Sequence, residues 1–210
     1  LIYTIILTLP LPLLSHYLGW FLTISSATSG FSKAVGAGLQ IASIPLFAVQ
    51  LIYRVFSAKG IAVRHFQWQD SNAALIKRQA NWLRYVVYSG SFIIGMCNTA
   101  SSGIYSDTLG RLALIGLLIA MTLFFSKMLN PKSGLLRDYF ANNPGDWAVK
   151  SRYLWYSLIV ASPIIIIGFA IEGYYLSALE LQQKLAITVR LIFLMIVIHE
   201  LVLRWLSLVN

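Results

Sequence analysis

Residues 109–128 read LGRLALIGLLIAMTLFFSKM, an apolar run in which the charged residues, Arg111 and Lys127, lie close to the two ends. A bilayer core about 30 Å thick is crossed by a helix of roughly 20 mainly apolar residues. In hydrocarbon, backbone N–H and C=O groups must bond within their own segment, so such a run is helical. This stretch predicts a transmembrane helix, and the chain repeats its pattern on both sides.

The composition supports a membrane protein rather than a soluble one. The chain has 210 residues, of which 58% are hydrophobic and 11% charged. A soluble globular domain carries roughly 25% charged residues. Length alone would allow one or two soluble domains, but the low charge content excludes that interpretation.

The hydrophobic pattern predicts an all-α fold, a polytopic transmembrane helical bundle of about six spans with interfacial helices. The first run contains Pro10 and Pro12, so we expect it to be kinked or to begin after the prolines. Residues 73–80, in a long polar connection, are predicted to form a helix lying at the interface. The chain starts at Leu1 within an apolar run, so it is interpreted as a fragment of a longer protein. The predicted spans lie at about 1–24, 34–56, 83–101, 109–128, 153–171 and 179–206.

The distribution of lysine and arginine predicts the orientation. Eleven of these residues lie near or within connections 57–82 and 129–152, and Arg204 lies at the end of the last span on the same side, which makes twelve, whereas three, Lys33, Arg111 and Lys184, lie on the opposite side. Cytoplasmic segments carry the excess of lysine and arginine. We therefore expect both long connections to be cytoplasmic, with an earlier segment placing Leu1 on the same side.

Basic and tryptophan side chains near span ends are predicted to act as membrane-interface anchors, since these residue types favour the headgroup region. Membrane lipids are therefore the expected partners. The predicted anchors are Arg54, Lys59, Arg64, Trp68, Lys77, Arg78, Trp82, Arg84, Lys132, Arg137, Trp147, Arg152 and Trp155.

Arg190, His199 and Glu200 lie within the sixth predicted span, away from its first turns. Such residues are candidates for function by default. His199 and Glu200 are adjacent and point to different sides of a helix, so a structural role is favoured, with a proton or ion relay as the alternative. In the second span, Ala34, Gly38 and Ala42 recur every four residues and predict a face for close helix packing.

Catalytic and metal-binding patterns are missing from the sequence. The three histidines lie far apart, Cys97 is the sole cysteine, and neither a G-x-S-x-G nucleophile motif nor a phosphate-binding P-loop occurs. The positive net charge, +9, accompanies apolar spans instead of an exposed basic face, which argues against nucleic acid as a partner. The sequence thus predicts neither an enzyme nor a cofactor.

Several motifs resemble the large bacterial mechanosensitive channels of the MscS superfamily, of the MscK and MscM (miniconductance) type. The resemblance runs from about Leu39 to Leu206, and the order and spacing of the motifs carry it. The motifs are RVFSAKGIAVRHFQW at 54–68, DTLGRL at 107–112, LNP at 129–131, LWY at 154–156 and GYYLSAL at 173–179.

The resemblance implies accessory membrane helices that lie ahead of a pore helix and a cytoplasmic vestibule, both outside this chain. It also implies a homoheptamer in the bacterial inner membrane, with ions passing through a pore elsewhere, and a role in sensing tension during hypo-osmotic shock. The residues themselves leave two alternatives. A transporter or permease subunit would need broken helices and inverted repeats, and a membrane-embedded enzyme would need clustered His, Asp or Glu.

Overall fold

The computed structural model describes residues 2–24, 29–57, 70–100, 106–135, 137, 140 and 147–209. Throughout these ranges the regular structure is helical, as predicted. A five-residue π-helical turn, Ser106–Gly110, leads into α5. The helices are α1 (Ile2–Thr8), α2 (Pro10–Ile24), α3 (Gly30–Val55), α4 (Asp70–Thr99), α5 (Arg111–Met128), α6 (Trp147–Lys150), α7 (Arg152–Ile171) and α8 (Tyr175–Val209).

Four helices in the described part of the chain are long and apolar enough to cross a membrane. They occupy Gly30–Val55, Thr108–Met128, Arg152–Ile171 and Tyr175–His199. The expected number, about six, is therefore slightly too high as a count of uninterrupted apolar spans. The difference comes from the first and third predicted spans. The first is divided into two short helices near its prolines, and the third belongs to a longer helix that begins with polar residues.

The first predicted span is kinked at its prolines. Leu9 lies between α1 and α2, yet its N–H donates to the Ile5 carbonyl at 3.1 Å and its own carbonyl accepts from Leu13 at 2.9 Å. The helical ladder thus continues past the break, while Pro10 and Pro12 have no N–H to donate. Neither piece alone is long enough to be a span.

The third predicted span is the second half of a longer helix. α4 runs without interruption from Asp70 to Thr99, so the expected interfacial helix at 73–80 is instead its first part. Ala73, Ile76 and Ala80 are buried, and the first two share a cluster with Val55 at the end of α3 and with Phe56, which follows it. Since no proline divides this segment, packing on α3 extends the helix beyond the apolar run.

Successive long helices pack antiparallel. Gly19 of α2 lies against Gly36 of α3, and Gly38 of α3 lies against Gly95 of α4. Further along, the α4–α5 contact pairs Val87 with Ala120, and in the α5–α7 contact Tyr156 donates a hydrogen bond to the Ser126 carbonyl at 3.5 Å. This alternation brings the end of α3, the start of α4, the end of α5 and the start of α7 together, and we name this the basic end.

The final helix, α8, is peripheral. It follows a tight turn at Gly173, whose φ of 101° suits glycine. Its first turn is held by Tyr175, which is buried and donates to Asn98 Oδ1 at 2.9 Å. Beyond that turn, the most apolar stretch of α8 has no buried residue. A helix that is apolar all round and unburied is typical of a lipid-exposed element.

Candidate membrane-interface site

The basic end gathers cations on a shared aromatic ring. Tyr53, in the last turn of α3, lies close to two basic side chains of α4. The Arg84 guanidinium carbon is 4.6 Å from the centre of the Tyr53 ring, and Lys77 Nζ is 5.9 Å from it. Cations at such distances are attracted by the negative face of the ring. We call Tyr53, Lys77 and Arg84 the cation–aromatic cluster.

Arg84 has a second aromatic partner. Its guanidinium carbon lies 4.7 Å from the Tyr85 ring centre, and its Nη2 donates to the Tyr85 hydroxyl at 2.9 Å. The Nε of Arg84 and that of Arg54 are both buried without a hydrogen-bond partner. Within the described residues, none of Arg54, Lys77 and Arg84 forms an ion pair with a carboxylate. The positive charge of this site is therefore uncompensated by the described protein.

Tryptophans occur at two places near the basic end, on α4 and at the start of α7. Trp82 Nε1 donates to Gln79 Oε1 at 2.8 Å, and the indole packs beside Leu83 of the same helix. At the start of α7, Trp155 Nε1 donates to Ser151 Oγ at 3.0 Å, and its ring meets that of Trp147 edge-on at 6.1 Å. An indole with its N–H satisfied and its body exposed suits a membrane interface.

The remaining predicted anchors are spread around the same end. Arg152 lies 5.1 Å from the Tyr153 ring centre. Arg78, Lys132 and Arg137 are exposed and point away from the helix packing. Lys59, Arg64 and Trp68 lie outside the residues that the structure describes. The structure thus brings Lys77 and Arg84 together on Tyr53, and Trp147 together with Trp155.

The predicted packing face lies in the bundle interior. Ala34, Gly38 and Ala42 are all buried. A Cβ built on Gly38 would lie 2.7 Å from the Phe92 carbonyl oxygen, closer than real side chains approach a backbone. The backbones of α3 and α4 therefore touch at a place that only glycine permits.

A polar ladder between α2, α3 and α4 was missed in the sequence. Ser15 Oγ donates to the Leu39 carbonyl at 3.0 Å and lies 3.2 Å from the Tyr88 hydroxyl, which supplies the second hydrogen bond. His16 Nδ1 lies 3.2 Å from Ser43 Oγ. Serine and histidine are common in helices, and sequence spacing gives no sign that these residues face one another.

Of the three ionisable residues predicted within the last span, Arg190 and His199 lie apart on α8. Arg190 is half-buried, and its Nε donates to the Ala186 carbonyl of the same helix at 3.1 Å. His199 is exposed and lies more than two turns further along α8. The side chain of Glu200 lies outside the described residues. No group of three or more His, Cys, Asp or Glu that could hold a metal occurs in the part of the chain that the structure describes.

Comparisons with known proteins agree with this arrangement. The family described as "Mechanosensitive ion channel inner membrane domain 1" matches residues 1–210. The chain belongs to this family. The resemblance to MscS-superfamily channels is thereby confirmed, and the chain is a multi-pass inner membrane domain of a mechanosensitive channel. The alternative of a transporter subunit is not favoured.

A curated relative shows how much of such a protein this domain represents. The chain is 26% identical, over 215 residues, to "Miniconductance mechanosensitive channel MscM" of Escherichia coli (strain K12). The match covers 98% of this chain and 18% of the relative. No solved structure matches the chain. The inner membrane domain is therefore a minor part of the length of that relative.

Proposed function

We propose that this inner membrane domain senses lateral tension for a mechanosensitive channel that releases ions and small osmolytes on hypo-osmotic shock. The observation that carries the proposal is the cation–aromatic cluster at the basic end, in a domain whose family is that of mechanosensitive channels. Uncompensated cations and indoles at one level would hold the helices to lipid headgroups. A change in bilayer area or thickness would then act on the helices directly.

The positive-inside pattern supports a cytoplasmic location for the basic end. Anionic headgroups of the cytoplasmic leaflet attract basic segments close to the surface by about 1 kcal/mol per residue. Lys77 and Arg84 have no acidic partner among the described residues, so they are free to bind such headgroups. Tension that tilts α3 or α4 would change this contact, and the closed–open equilibrium would shift toward the state of larger area.

The assembly and the boundaries of the domain are part of the same proposal. We propose a homo-oligomer, a heptamer by family resemblance, in which this chain lies outside the pore. The pore helix and a cytoplasmic vestibule are proposed to lie beyond residues 1–210. The chemistry of the domain is proposed to be non-enzymatic, with lipids as the ligands and no cofactor.

Patch-clamp recording of the full-length protein tests tension sensing. The double variant Lys77→Gln, Arg84→Gln removes the cations that contact Tyr53 while keeping side-chain length. We expect its opening threshold to rise, because weaker anchoring transmits less of the membrane force to the helices. The matched control is Lys33→Gln, Lys184→Gln, which removes two exposed cations away from the basic end.

The control should open at the wild-type threshold. Deletion of residues 1–210 from the full-length protein is the second arm, and it should raise the threshold at least as much as the double variant. A channel that keeps the wild-type threshold in both arms would exclude tension sensing by this domain.

A further inference from the structure

An apolar groove lies between α8 and the pair formed by α1 and α3. Its volume is about 280 Å³. Ten of its twelve lining residues are apolar, and Ala48 and Leu51 of α3 form part of its wall. Phe193, which lines the groove, lies 6.4 Å from the Phe56 ring, measured between ring centres.

One cation lines this groove. Arg190 of α8 is half-buried, and among the described residues it makes a single hydrogen bond, from Nε to the Ala186 carbonyl, and no ion pair. The two terminal nitrogens of its guanidinium therefore remain available to a ligand. A bidentate guanidinium is well matched to the oxygens of a phosphate.

The depth of Arg190 makes a counter-charge necessary. It lies fifteen residues after Tyr175, or about 22 Å along the helix, and its bond to Ala186 directs the side chain back toward the membrane interior. An arginine within a span is costly unless water, a partner or a lipid headgroup compensates it. Here the side chain faces a groove that is otherwise apolar, apart from Thr4.

We infer that this groove binds one phospholipid, with its phosphate on the terminal nitrogens of Arg190 and one acyl chain along Ala48 and Leu51. The charge of Arg190 selects the phosphate, and the apolar wall accepts the chain. The inference deepens the proposed function, and its bearing on gating rests on that function. A lipid held between α8 and α3 would resist the approach of the two helices, so its release under tension would couple lipid occupancy to helix position.

Photocrosslinking of defined lipids tests the site directly. The purified full-length protein is reconstituted in phosphatidylethanolamine vesicles that contain a phosphatidylglycerol with a photoactivatable acyl chain. A diacylglycerol with the same acyl chain, but without phosphate, is the matched probe. Crosslinked peptides are quantified by mass spectrometry. For the wild type we expect crosslinking within residues 44–55 and 190–197 to be about tenfold higher with the phosphatidylglycerol than with the diacylglycerol, as a charge-assisted contact predicts.

Three variants separate the roles of charge and shape. Arg190→Leu should remove the preference for the phosphate-bearing probe, whereas Arg190→Lys should retain part of it. Ala48→Phe should fill the groove and lower crosslinking of both probes. Gly168→Leu on α7, where an added Cβ meets nothing within 4 Å, adds similar bulk at an open position and should leave both yields unchanged.

Equal crosslinking of the two probes in the wild type, or an unchanged preference in Arg190→Leu, would overturn the inference. Because the assay measures binding without channel opening, its outcome is independent of the threshold measurement. A channel that senses tension without this lipid would contradict the inference alone, and a bound lipid in a domain with no effect on threshold would contradict the proposed function alone.

Discussion

At the scale of single residues, glycine sets how closely α3 and α4 approach. The Cα of Gly38 lies 3.0 Å from the position that a Cβ on Gly95 would occupy, and a Cβ on Gly38 would meet the Phe92 carbonyl oxygen at 2.7 Å. The obstruction on that side is backbone, which cannot rotate away. Tight backbone contact replaces the hydrophobic driving force that helices in a bilayer lack.

Gly38→Ala is therefore expected to destabilise the domain by about 1–3 kcal/mol, the usual effect of overpacking a filled interior. The free energy of unfolding, measured for the purified protein in mixed detergent micelles, checks this. Gly116→Ala on α5 is the control, because a Cβ there meets nothing within 4 Å. Equal stability of the two variants would show that α3 and α4 can move apart without lowering the free energy of unfolding.

Tyr53 illustrates what the sequence could and could not predict at this scale. Lys77 and Arg84 were recognisable as interface residues because they border an apolar run. Their common partner was not recognisable, since Tyr53 belongs to a different helix and no spacing rule links residues on opposite sides of a long connection. Ala34, Gly38 and Ala42 were easier to identify, because a four-residue repeat within one helix defines a face without knowledge of the partner.

At the scale of helices, hydrophobic length predicted helix type well and helix limits less well. The apolar run at 109–128 matches α5 closely, since polar or charged residues mark both of its ends. The run at 83–101 reveals only half of α4, because burial of Ala73 and Ile76 against α3 stabilises helix beyond the apolar segment. Hydropathy reports contact with lipid, whereas this extension depends on contact with protein.

The polar ladder gives α2, α3 and α4 a second means of association. Ser15 is buried and joins all three helices through the Leu39 carbonyl and the Tyr88 hydroxyl. Interhelical hydrogen bonds in membrane proteins contribute about 0.6 kcal/mol on average. Together with the glycine contacts, the ladder makes these helices the most tightly joined part of the domain.

We expect Tyr88→Phe, which removes one hydrogen bond, to lower the free energy of unfolding by about 0.6 kcal/mol, and Ser15→Ala, which removes two, to lower it by about 1.2 kcal/mol. The double variant should lose less than the sum, because both substitutions remove the same hydrogen bond. Unfolding of the four proteins of this double-mutant cycle in mixed micelles measures the coupling. Ser89→Ala on α4, whose hydroxyl bonds only to carbonyls of its own helix, serves as the control and should show no coupling to Tyr88→Phe. If the effects of Ser15→Ala and Tyr88→Phe on the free energy of unfolding were strictly additive, the hydrogen bond between these two side chains would not contribute to stability.

At the scale of the whole molecule, the domain combines a closely packed unit with a loosely attached helix. α2, α3 and α4 share glycine contacts and polar bonds, whereas α8 is held at its first turn by Tyr175 and touches α3 again near Phe193. The groove lies between these two attachments. A force that changes the bilayer can therefore move α8 against α3 while disturbing little of the packed unit.

We expect the domain to be oriented in the membrane with its basic end toward the cytoplasm. With Cys97→Ser as the background, Glu172→Cys places a thiol in the exposed turn before α8, and Lys132→Cys places one in the exposed loop after α5. A membrane-impermeant maleimide added to intact spheroplasts should label the first variant, and the second only after permeabilisation, because lysine and arginine are retained on the cytoplasmic side. Cys97→Ser alone should remain unlabelled. Labelling of Lys132→Cys in intact spheroplasts would show that the domain has the opposite orientation. The cation–aromatic cluster would then face the periplasmic leaflet, which lacks the excess of anionic headgroups on which the proposed anchoring depends.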